Sequence, residues 1–131
     1  MQLGQFSFAQ VQLTPPQMFN YIKAHRRNWG LTQKELGYIL GFDNNVRICQ
    51  LELGKKTPTF SEAIIFELLF DKAPSRMFPD IYHETTEMLN QRLEPLEDYF
   101  NEQKQTQHTQ TIKRRLHEVR KELTQINSHR I

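Results

Sequence analysis

The sequence predicts an all-α fold, and three observations carry that prediction. Two capping boxes, Thr32 with Glu35 and Thr59 with Glu62, stand directly before apolar runs. Glycines fall where short helices would end, at Gly41 and Gly54. Near the end of the chain Ile112, Leu116, Val119, Leu123 and Ile126 step by four and three, the spacing of one helical seam. The expected organisation is an N-terminal extended arm over residues 1–13, a five-helix domain over 14–79, and a C-terminal helical extension over 80–131, folded as a hairpin or coiled coil.

In the arm, Phe6, Phe8, Val11 and Leu13 alternate in part with polar residues, which suits a short strand or extended segment. Thr14-Pro15-Pro16-Gln17 then reads as a helix start, with a threonine cap and prolines in the first turn, where a missing N–H costs nothing. Helix 1 is expected to run to about Asn28, with Met18, Ile22, His25 and Trp29 as its buried stripe. Leu31 can staple against Leu36 across the first turn of helix 2, which continues to Leu40. Helix 3 should start at Asn44 or Asn45 and reach Leu53, with Ile48 and Leu51 facing inward and Val46, Gln50 and Leu53 outward. Helix 4 follows Thr59 and is so apolar, from Ala63 to Phe70, that burial on most sides is expected. A last short helix over 73–78 should stop at Pro79, with Met77 and Phe78 closing the bundle.

Composition excludes several functions. The 131 residues contain one cysteine, Cys49, so no internal disulfide can form, and no Cys/His spacing suits zinc. The first residues lack the basic and then apolar run of a secretory signal, and no stretch approaches the roughly 18 apolar residues of a membrane span. A cytoplasmic protein without membrane attachment is expected. Catalysis is not: His83-Glu84-Thr85-Thr86-Glu87 lacks the second histidine of a zinc-protease helix, there is no glycine-rich phosphate loop, and Cys49 has no evident base. No cofactor and no metal are therefore called for. The net charge of +2 hides an alternation. Residues 14–60 carry seven basic and three acidic side chains, residues 80–102 one and seven, and residues 103–131 seven and two. The first block could meet a polyanion, while the other two could pair with each other.

Arg26, Gly30-Leu31-Thr32-Gln33, Glu35-Leu36, Gly41, Ile48, Glu52, Gly54-Lys55-Lys56 and Pro58 stand in an order and spacing that resembles the phage repressor/Cro-type (XRE) helix-turn-helix family over about residues 18–79. Two departures from the family pattern stand out. The interval from Gly41 to Ile48 is one residue longer than usual, and Gly37 replaces the small alanine common at the helix crossing. The resemblance implies a transcriptional regulator, bacterial or phage-encoded, that places helix 3 in the major groove of double-stranded DNA. Carried over position by position, Gln33, Lys34, Lys55 and Lys56 would contact phosphate. Asn44, Asn45, Val46, Arg47 and Gln50 would face base edges, with Asn45 and Gln50 foremost. Arg26 and Glu52 would form a structural ion pair between helix 1 and the end of helix 3.

In the tail, Thr85, Met88, Arg92, Leu96 and Phe100 recur at near-heptad spacing, interrupted by Pro95, which would kink one helix or begin another. Residues 103–110 are polar and read as a loop. The seam of Ile112, Leu116, Val119, Leu123 and Ile126 spans only two heptads, so it needs a partner: the preceding helix, a twin, or both. A homodimer on a partly palindromic operator is the expectation. The rival is an antitoxin-like or adaptor module whose tail grips a protein partner.

Overall fold

The computed structural model describes residues 17–128, and among them it is all-helical, with no strand. Seven helices follow one another: α1 (Ile22–Trp29), α2 (Gln33–Ile39), α3 (Val46–Glu52), α4 (Phe60–Phe70), α5 (Pro74–Met77), α6 (Pro79–Glu102) and α7 (Gln107–Ser128). They fall into two compact units that meet in sequence between Tyr82 and His83, three residues beyond the expected boundary and inside α6. The arm over residues 1–13 lies outside the described residues.

The first unit is built around Ile22, Leu36, Ile48, Leu51, Phe66, Phe70, Met77 and Phe78, at least one from each of α1 to α5 or its flank. Removing this much apolar surface from water is the main term holding five short helices together. Both capping boxes form: Thr32 Oγ1 accepts from Glu35 N while Glu35 Oε1 accepts from Thr32 N, and Thr59 and Glu62 do the same.

Helix 1 begins at Ile22, not near Thr14. The backbone before it is bonded elsewhere: Met18 N donates to Gly54 O at 3.3 Å, Phe19 N to Asp80 Oδ2 at 2.8 Å and Tyr21 N to Met77 O at 2.9 Å. These N–H groups find distant acceptors, and Asn20 Oδ1 accepts from Ile22 N to turn the chain into the helix. Gly54 makes the first of these contacts possible, since a Cβ there would lie 2.1 Å from Met18 O. The expected stripe is correspondingly partial. Met18 is buried from outside the helix, Ile22 is buried within it, His25 stacks on Phe70 at 5.6 Å, and Trp29 is exposed with its ring edge-on to Phe70.

One further expectation is corrected. Helix α4 is not buried on most sides: Glu62, Phe66 and Phe70 face inward, whereas Phe60, Ile64 and Leu68 face out. Eleven residues packed on one side leave the other side in water whatever its composition. Pro79 ends α5 but also starts α6, because a proline fits the first turn of a helix as well as it closes the one before.

The second unit contains the rest of α6, which runs through Pro95 without a break, and α7. Pro95 leaves the Gln91 carbonyl without its helical donor, and Gln91 is exposed, so water can serve it. The connecting segment is shorter than expected: residues 103–106 alone are non-helical, because Thr106 Oγ1 accepts from Thr109 N and opens α7 early. Within this unit Arg120 donates to Glu97 Oε2, and Thr86 Oγ1 lies 3.4 Å from Asn127 Oδ1, pairing α7 antiparallel with α6. On the seam, Leu123 is buried, Ile112 and Leu116 are half-buried, and Val119 and Ile126 are 39% and 38% exposed.

Candidate nucleic-acid interface

Helices α2 and α3 are joined by residues 40–45, which lie in the interval expected from the sequence to be one residue longer than usual. The two departures noted in the sequence meet here. A Cβ on Gly37 would sit 2.5 Å from the backbone oxygen of Asn44, so the longer turn occupies the space where an alanine methyl would otherwise lie. Phe42 N donates back to Gly37 O at 2.9 Å and holds the turn against α2.

The longer turn also redistributes the asparagines. Asn44 Oδ1 accepts from Val46 N at 3.0 Å and turns the chain into α3, which starts at Val46 and not at Asn44 or Asn45. Asn45 occupies the cap position but makes no side-chain cap bond. Its Nδ2 donates to Gln33 Oε1 at 3.1 Å, and Gln33 Nε2 in turn donates to Glu52 Oε1 at 3.0 Å. Arg26 completes the chain of bonds. Its Nε donates to Glu52 Oε2 at 2.6 Å, Nη2 to Glu52 Oε1 at 3.2 Å and Nη1 to Leu31 O at 2.8 Å. The Arg26–Glu52 pair is nearly buried, at 10% and 3% side-chain exposure. Every strong polar group in it has a partner, the condition under which a buried ion pair holds its geometry. The network ties α1, α2 and both ends of α3 into one piece. Gln33 lies at its middle.

Arg47 leaves the set of side chains available for reading bases. Its Nε donates to Glu62 Oε2 at 2.9 Å and its Nη2 to Glu62 Oε1 at 2.6 Å, a two-pronged pair, with a further bond to Thr57 O at 3.1 Å. The fork that would grip a guanine is thus filled by a carboxylate. Burial would raise the Glu62 carboxyl, but hydrogen bonds from Arg47 and from the Thr59 backbone outweigh it and hold the group below the usual carboxylate range. Arg47 is shifted upward, chiefly by the hydrogen bond to Glu62. Glu62 is visible in the sequence only as a capping residue. Nothing local marks its second bond, to a side chain fifteen positions earlier.

The outward row of α3 then comprises Asn45, Val46 and Gln50, with Leu53 at its end. Asn45, Val46 and Leu53 are exposed, and Gln50 is half-buried, its side chain making no hydrogen bond among the described residues. Lys34, Lys55 and Lys56 are exposed. Hence the surface offers the Gln50 amide, the Asn45 amide with one N–H already given to Gln33, one branched apolar group and flanking ammonium groups. Amides can exchange paired hydrogen bonds with adenine, and a valine can meet a thymine methyl. Among the described residues no cluster of His, Cys, Asp or Glu could hold a metal ion, and no helix is long and apolar enough to cross a membrane. Comparison with known protein families, curated proteins and solved structures finds no match to this chain.

Proposed function

We propose that this chain is a sequence-specific, double-stranded DNA-binding transcriptional regulator of the repressor/Cro type, acting as a dimer on a partly palindromic operator with α3 in the major groove. The observation that carries the reading is the outward row Asn45, Val46 and Gln50 on a short helix locked at both ends by the Arg26–Glu52–Gln33 network. A reading helix must be rigid to discriminate, because a base-edge bond is useful only if the wrong base cannot be met by a small shift of the helix. Lys34, Lys55 and Lys56 supply sequence-independent attraction to phosphate. Val119 and Ile126 leave part of the tail seam open for a second copy or a protein partner.

The test is selection from random-sequence duplex DNA with the purified full chain, followed by titration of the selected and a scrambled duplex at two salt concentrations. Selected sites should contain two related half-sites about one DNA turn apart, and affinity should fall steeply as salt rises. Equal affinity for selected and scrambled duplexes would overturn the reading.

A further inference from the structure

Helix α4 carries an apolar row that the core of its own unit does not use. Phe60, Ile64 and Leu68 are 83%, 39% and 78% exposed, and at four-residue intervals each lies only about 40° around the helix from the next. Phe66 and Phe70 meanwhile fill the core on the other side. Contiguous exposed apolar groups of this size on a helix mark a contact surface more often than they occur by chance.

We propose that this face is a two-fold contact between two copies of the chain, with α4 packed antiparallel on its partner's α4 and Ile64 on the axis. The row is symmetric about its middle member. Phe60 and Leu68 each stand four residues, or about 6 Å of helix rise, from Ile64. A two-fold axis there sets Phe60 against the partner's Leu68 and the reverse, the self-matching that an isologous interface requires. Charge favours the same arrangement. Exposed Glu67 and Asp71 near the end of α4 outweigh Lys72, while Lys55 and Lys56 precede its beginning. Antiparallel packing brings the acidic end of one helix toward the basic approach of the other, whereas parallel packing would set like against like.

The area is also sufficient. Three side chains at these exposures offer roughly 350 Å² per copy, so with the rim of Ser61, Glu67 and Asp71 the total for both copies reaches about 1,000 Å², the lower end of specific interfaces. A dimer with a micromolar dissociation constant is the expectation. The contact is distinct from the tail seam, its apolar row lies apart from the α3 row of the DNA-binding reading, with which it shares only the flanking Lys55 and Lys56, and it is measured without DNA, so its failure and the failure of that reading are separate results.

The full chain is used throughout, with Cys49→Ser to remove the single native thiol. In that background Ile64→Cys should oxidise to a covalent dimer. Phe60→Cys and Leu68→Cys should each stay monomeric alone but cross-link when mixed, since only the antiparallel register brings position 60 to position 68. In sedimentation equilibrium the Phe60→Glu/Leu68→Glu variant should raise the dimer dissociation constant at least a hundredfold, with an unchanged helical spectrum and melting temperature. Three results would overturn the proposal. They are a parent chain monomeric at 200 µM, a dissociation constant within threefold of the parent in the double glutamate variant, or a monomeric parent whose melting temperature falls in that variant because the face is covered within one chain.

Discussion

The two units of the chain each hold an Arg–Glu pair between helices, and the pairs are not equivalent. In the first unit Arg26 and Glu52 meet through two bonds, and Leu31 O and Gln33 take up what the pair leaves over. In the second, Arg120 meets Glu97 through one oxygen, while Glu97 Oε1 and Arg120 Nε are buried without a hydrogen-bond partner among the described residues. The surroundings differ in the same sense. The first pair sits beside a core with Ile22, Leu36, Ile48 and Phe66 fully buried, whereas among the described residues of the second unit Leu93 and Leu123 are the buried apolar side chains. A charge pair removed from water holds position firmly only when all its donors and acceptors are met. The first unit thus holds its charge pair with every bond met, whereas the second joins its two long helices through a partly unmet pair.

The sharpest break in this comparison is Glu52→Ala, which leaves the Arg26 guanidinium buried without its carboxylate. A loss of about 3 to 5 kcal/mol is expected, read by chemical denaturation, and hydrogen exchange should show it in α1 to α3 before α7. Equal protection loss in both units would mean that they do not differ as described. Next comes Gly37→Ala, where the new methyl meets the backbone of Asn44 and a cost of about 1 to 3 kcal/mol is expected. Deleting one residue from 42–44 in the same variant should recover part of that loss.

On DNA, Asn45→Ala should lose about 1 to 3 kcal/mol at one or two base positions. Lys55→Ala should instead weaken all duplexes alike and lower the salt slope by about one. Competition titrations against single-base variants of the selected site separate the two, and identical patterns would refute the assignment.

A smaller effect is expected with pH. Glu62 is held below its ordinary range in the folded state, so its pair with Arg47 adds stability that is present at neutral pH and is lost in acid, as the pH falls below the ordinary carboxylate range and the folded group protonates. Glu35, lowered by its bonds from the Thr32 backbone and side chain, acts in the same direction. Glu62→Gln should therefore be less stable than the parent at pH 7 and lose less on acidification to pH 3. The smallest change is Glu97→Leu with Arg120→Met, which should stay within about 1 kcal/mol of the parent or gain slightly, because a partly unmet pair is replaced by apolar packing.

What could be read from the sequence follows the distance over which each signal acts. The capping boxes at Thr32 and Thr59 were legible because both partners lie within four residues, and the outward row of α3 was legible because helical geometry alone assigns Val46 and Gln50 to one side. Helix 1 was misplaced because the local cues at Thr14 to Gln17 are opposed by acceptors at Gly54, Asp80 and Met77, which no local pattern reveals. Nothing local reveals that the Arg47 fork is filled by Glu62, a residue that the sequence marks only as a cap. The apolar character of α4 was plain, but composition does not tell which side of a helix faces water.

The fit of Gly37 to Asn44 has a practical corollary for anyone wishing to graft this part of the chain. The path of the longer bend is permitted by an atom that is missing seven residues earlier, so the bend is not a portable part. A transplant of residues 41–50 into a scaffold bearing alanine at the crossing would jam. The heritable unit is the whole stretch from 33 to 52, moved together or not at all.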